Sequence, residues 1–147
     1  MPMAGRLSAM LGSLILTLGI ALVPSSPASA AEWWRECREP TYVGNGFEAD
    51  VCVFTDGARF SAQGWLYKKP SNCGYWRVYL VNNSLEERHS TSKLSCGTRT
   101  DALTRMIWED FPNGVAKARV KVWDTSSTPR VILSIDSPWL HYAVCPC

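Results

Sequence analysis

The chain has 147 residues, with 15 Lys or Arg against 13 Asp or Glu, enough for one domain with a core and little excess charge of either sign. That balance, and basic residues so scattered that Lys68-Lys69 is their longest run, argue against nucleic acid or an anionic membrane as an electrostatic partner. Six Cys, seven Trp and five Tyr point instead to a cross-linked, exported fold with aromatic area to spare.

Residues 1–30 read as a cleavable secretory leader. Arg6 supplies the basic start, an uncharged apolar stretch follows over 7–23, and a Pro/Ser/Ala segment ends in Ala28-Ser29-Ala30. The apolar stretch is shorter than the roughly 20 residues that a spanning helix needs. The expected mature domain is 31–147, a single secreted, extracellular and monomeric unit with no membrane attachment after cleavage. It keeps all 13 acidic residues and all basic residues except Arg6.

Asn45-Gly46 and Asp56-Gly57 are hairpin signals, because type I′ turns require positive φ at both central positions. Between them Phe47, Ala49, Val51 and Val53 alternate with Glu48, Asp50 and Cys52, as in a half-buried strand. Phe60, Ala62 and Leu66 alternate in the same way with Ser61, Gln63 and Trp65 before the loop at 68–72. Residues 75–81 put Trp76, Val78 and Leu80 on one face and Tyr75, Arg77, Tyr79 and Val81 on the other. A returning strand is expected within 88–94, closing at Cys96-Gly97.

Leu103, Met106 and Ile107 have helical spacing behind Thr100, whereas Met106-Ile107-Trp108 suits a strand buried on both faces; the strand is the reading taken, with a single short helix near 100–110 as its alternative. Ala116, Ala118, Val120 and Val122 then alternate with Lys117, Arg119 and Lys121, and 130–135 is the expected partner strand. The sum is an all-β domain: a small antiparallel sandwich or barrel of about seven or eight short strands.

The six Cys imply three disulfides. Cys73 and Cys96 bracket the hairpin built on 75–81 and are expected to pair. For Cys37, Cys52, Cys145 and Cys147 two solutions stand. The first joins both tail cysteines to Cys37 and Cys52, tying the chain ends to the sheet; the second pairs Cys37 with Cys52 and leaves Cys145 and Cys147 to a strained Cys-Pro-Cys ring or free. The first is the reading taken. No metal or cofactor is expected, since His141 is the only soft-metal ligand near the tail beyond its cysteines.

The segment "VCVFTDGARFSAQG" resembles a Cys-apolar-aromatic-x-Asp pattern, with a second aromatic six residues after the first, found in small secreted βγ-crystallin-like proteins. The matching residues are Cys52, Phe54, Asp56 and Phe60. Ala62 stands where that pattern has Gly, and no second copy follows. The likeness spans under twenty residues, so neither an inhibitory nor a calcium-binding role is carried over.

Two functional readings remain. His89 lies near Glu86, Glu87 and Arg88, the residue types of general acid-base cleavage in a small secreted hydrolase of ribonuclease type. The polar tip of a hairpin collects the same residues, and neighbours on a strand point to opposite faces. The preferred reading is a non-enzymatic domain that binds an extracellular protein or glycan, inhibitor-like or envelope-associated, through exposed aromatics: Trp33, Trp34 and Trp139, drawn together by the terminal staple, and Trp65 with Tyr67. Trp76, Trp108 and Trp123 are assigned to the core. Asn82-Asn83-Ser84 is a glycosylation sequon.

Overall fold

The structure, a computed structural model, describes residues 34–98, 100–106, 111 and 113–142. The leader, Trp33, Ile107, Trp108, Cys145 and Cys147 therefore lie outside the described residues. Eleven strands form among the described residues, in chain order: β1 Trp34–Cys37, β2 Tyr42–Gly44, β3 Phe47–Thr55, β4 Phe60–Lys68, β5 Cys73–Asn82, β6 Glu87–Ser90, β7 Leu94–Ser95, β8 Asp101–Leu103, β9 Val115–Asp124, β10 Val131–Asp136 and β11 Leu140–His141. All pairings are antiparallel, and they make two sheets. The first runs β1-β3-β4-β8 with β2 also on β3; the second runs β10-β9-β5-β6 with β11 on β9 and β7 on β5. The all-β class is as the alternation implied.

The strand count exceeds seven or eight because three edges are each broken in two. β1 and β2 share one edge of β3, β6 and β7 one edge of β5, and β10 and β11 one edge of β9. Counting each broken edge once leaves eight strands. Short, interrupted edges also deny a second chain a long row of free backbone groups.

Side-chain hydroxyls repair the ladders where edge strands stop. Thr91, Thr104 and Ser137 each donate a backbone N–H to the carbonyl of a central-strand residue and accept that residue's N–H on their own hydroxyl. The partners are Val78, Ala62 and Ala118, with N–H to hydroxyl distances of 3.2, 2.8 and 2.9 Å respectively. Thr104 and Ser137 are buried, where an unpaired strand amide costs about 1–3 kcal/mol.

The core lies between the sheets. Phe47, Ala49, Val51, Val53, Phe60, Ala62 and Leu66 from the first sheet meet Trp76, Val78, Leu80, Ala118, Val120 and Val122 from the second. Small residues let the layers approach: a Cβ at Gly64 would stand 2.5 Å from Val120 Cγ2 and 2.9 Å from Val78 Cγ2.

Several expectations need correction. Asn45-Gly46 is the two-residue hairpin foreseen, with φ of 52° and 79°. Asp56-Gly57 belongs to a four-residue loop in which only Gly57 takes positive φ, and the Asp56 carboxylate accepts the N–H groups of Ala58 and Arg59. A carboxylate that can bind backbone amides closes a longer loop that the dipeptide rule does not distinguish.

The return strand splits into β6 and β7. Of the strand expected at Met106-Ile107-Trp108, Ile107 and Trp108 lie outside the described residues and Met106 is not in a strand; just before it β8 forms, where Ala102 reaches the core, and no helix occurs among the described residues.

Two disulfides form among the described residues. Cys73–Cys96 is the expected hairpin clamp, while Cys37 pairs with Cys52 in place of the terminal staple. The reason is register: Cys37 and Cys52 stand directly opposite one another on β1 and β3, with Cα atoms 4.0 Å apart. Two disulfides, and no helix among the described residues long and apolar enough to cross a membrane, are compatible with an extracellular protein.

Candidate functional site

The residues proposed for hydrolysis do not converge. Register places His89 opposite Leu80, which belongs to the core between the sheets, and Glu87 opposite Val81, which is fully buried but follows Leu80 in the alternation and stands outside that core cluster. A bulge at Arg88 separates the two, so Glu87 and His89 leave a two-residue spacing pointing to different faces. Glu86 closes the preceding turn: it accepts Asn82 Nδ2 at 2.9 Å and pairs with Arg88 at 3.1 Å. Glu87 accepts Arg119 at 3.0 Å and also binds Lys121. Burial raises the Glu87 carboxyl, but hydrogen bonds and charge from Lys121 and Arg119 outweigh it and hold the group below its ordinary value. An anion so held is a poor proton donor at neutral pH.

The sequon is closed as well. Asn82 is 7% exposed, and its side-chain oxygen accepts the N–H groups of Ser84 and Glu86, each at 3.0 Å.

The aromatic residues singled out in the sequence fall in three places. Trp34, 41% exposed on β1, packs on Tyr142 with ring centroids 5.2 Å apart at an end of the sandwich beside Gly57. Trp65 and Tyr67 share the outer face of the first sheet, as their spacing implied, but their neighbours there are acidic: Asp50 and Asp101 flank Trp65. Burial raises the Tyr67 phenol, as do the Asp50 charge and hydrogen bond, so Tyr67 stays neutral. Near them a groove of about 480 Å³ runs between Arg35, Phe54, Leu103 and Met106 over Ser61 and Gln63. Trp139 lies on the other sheet, under the Lys117 ammonium at 4.7 Å.

The densest array of chemistry is the outer face of the second sheet, and sequence reading missed it. Trp123, assigned to the core, points outward because it follows Val122 in the alternation of β9. It stacks on Tyr75 of β5 with centroids 4.8 Å apart and planes within 10°. Lys93 Nζ stands 4.7 Å over the Tyr75 ring and Lys121 Nζ stands 5.4 Å over the Tyr79 ring.

Cross-strand register completes the grid, setting Arg77 beside Lys121 and Tyr79 beside Arg119. Arg119 forks onto Asp136 through Nε at 2.6 Å and Nη2 at 2.8 Å, and Lys117, only 9% exposed, reaches the same carboxylate at 2.6 Å. Burial raises the Asp136 carboxyl, while Arg119 and Lys117 bring it below its ordinary value overall. Tyr79 is raised by burial against the opposing influence of Arg77, so it is a neutral hydroxyl at physiological pH. The signal was present in two alternations read separately: the polar sides of 75–81 and 116–122 become one surface once β5 and β9 pair.

No family model, curated protein or solved structure matches the chain.

Proposed function

We propose that this is a secreted, disulfide-stabilised domain without a catalytic role, which captures an extracellular macromolecule on the outer face of its second sheet. The leader-like residues 1–30 and the two disulfides support an oxidising, extracellular setting. The observation that carries the binding role is the Tyr75–Trp123 stack, flanked by Lys93 and continued by Tyr79, Lys121 and Arg119.

Rings fixed by stacking and ion pairing lose little freedom on binding, and Tyr, Trp and Arg are the side chains that dominate recognition surfaces. Pairing also places most of this array on the two inner strands of the sheet, β5 and β9, with neighbours on both sides. Trp139, beneath the Lys117 ammonium, extends the same surface toward β11.

The test is affinity electrophoresis of the mature domain through gels containing laminarin, xylan or polygalacturonate. Retardation of the parent, lost in Trp123→Ala and kept in Trp65→Ala on the opposite sheet, is the expected result. Loss in Trp65→Ala with Trp123→Ala unaffected moves the binding surface to the first sheet and defeats the assignment.

A further inference from the structure

Resting on that reading of the face, we infer that its ligand is an acidic polysaccharide, with one sugar-borne carboxylate or sulfate held by Arg77 and Lys93. The charges on the face do not balance. Among the described residues, Arg77, Lys93, Lys117, Arg119 and Lys121 gather around only two carboxylates, Glu87 and Asp136. Those two are fully engaged by Lys117, Arg119 and Lys121.

Among the described residues, neither Arg77 nor Lys93 meets a carboxylate. Arg77 stands directly opposite Lys121, and like charges so placed repel. Its Nε is buried without a hydrogen-bond partner. A fold optimised for stability alone gains by replacing Arg77. An incoming oxyanion on the solvent side of the guanidinium would relieve the repulsion and form the charge-assisted pair for which a guanidinium is shaped.

The same geometry separates ligand classes. Bases of a single-stranded nucleic acid need open aromatic faces, and the Tyr75 ring already holds Trp123 and Lys93. A protein partner needs apolar anchor pockets, and the exposed large apolar residues stand elsewhere, apart from Val131 at one end of β10. What the face offers is donors: ammonium groups, a guanidinium, phenol hydroxyls and an indole. A chain of sugar hydroxyls punctuated by oxyanions is rich in the matching acceptors.

The experiment compares polygalacturonate with its fully methyl-esterified form, which keeps the backbone and removes the charge, and dextran sulfate with dextran, by titration calorimetry on the mature domain. The parent should bind at least one charged form about tenfold or more above its uncharged counterpart. Preference in the first pair assigns a carboxylate and in the second a sulfate. Arg77→Gln should erase the preference while its thermal midpoint stays level or rises, a combination that a merely structural arginine does not give. Equal binding of charged and uncharged forms overturns the inference and leaves the binding face standing; no binding to any polysaccharide sinks both. Tighter binding of polyglutamate or of a single-stranded oligonucleotide overturns the glycan assignment.

Discussion

Gly64→Ala is the smallest change that probes how the two sheets meet. The new methyl group would sit 2.5 Å from Val120 Cγ2, 2.9 Å from Val78 Cγ2 and 3.5 Å from the Trp76 ring. Val78 and Val120 are fully buried cross-strand partners with stiff, β-branched side chains, so neither can turn away without disturbing the other. Relief has to come from parting the layers. Overpacking of this kind costs about 1–3 kcal/mol, against which the stiffer unfolded chain returns about 0.4–1 kcal/mol.

The expected net loss is about 1–2 kcal/mol, a drop in melting temperature of about 4–8 °C for a domain of this size. Urea unfolding with calorimetry measures it. In a double-mutant cycle, Val120→Ala should restore about 1 kcal/mol to Gly64→Ala beyond additivity, since it removes the colliding methyls. A Gly64→Ala protein as stable as the parent, or strict additivity with Val120→Ala, refutes the close approach at this point.

Ser137→Ala leaves the buried Ala118 N–H without its 2.9 Å acceptor and should cost about 1–3 kcal/mol in chemical denaturation; Ser137→Thr should cost less, because it keeps the hydroxyl. Non-reducing peptide mapping should recover Cys37 joined to Cys52 and Cys73 joined to Cys96, and their loops of 15 and 23 residues predict losses of about 3 and 3.5 kcal/mol when either pair is changed to Ser. A peptide joining Cys37 or Cys52 to Cys145 or Cys147 contradicts that map. Asp136 titrates below its ordinary 3.8 in the folded protein, so its contribution is complete above that value and is lost as pH falls through the lowered one. Asp136→Asn should therefore be less stable than the parent at pH 7 by about 1–3 kcal/mol, with the gap closing in strongly acid solution.

Much of the fold was legible because strands declare themselves by period. The inward sets on β3, β4, β5 and β9 are those that alternation picked out, down to the alanines of β9. The broken edges were not legible, since two- and three-residue strands carry too few positions for a period, and their backbone bonds are continued by hydroxyls of a kind common in any loop. The disulfide was misread because chain-end geometry was weighed without the register that sets Cys37 against Cys52.

The candidate face was hidden for a related reason. Each strand shows its own polar side, but only pairing reveals that Tyr75 meets Trp123 and Arg77 meets Lys121. Glu87 and His89 show the reverse case: a spacing that promises a shared face is undone by one bulged residue.

Hydroxyl-radical footprinting of the mature domain, with and without saturating acidic polysaccharide, addresses the binding face most directly, because Tyr and Trp oxidation reports side chains one by one. The account predicts protection of Tyr75, Tyr79 and Trp123, with Trp65 and Tyr67 oxidised as in the free protein. Protection of Trp65 and Tyr67, with Tyr75, Tyr79 and Trp123 unchanged, would contradict it.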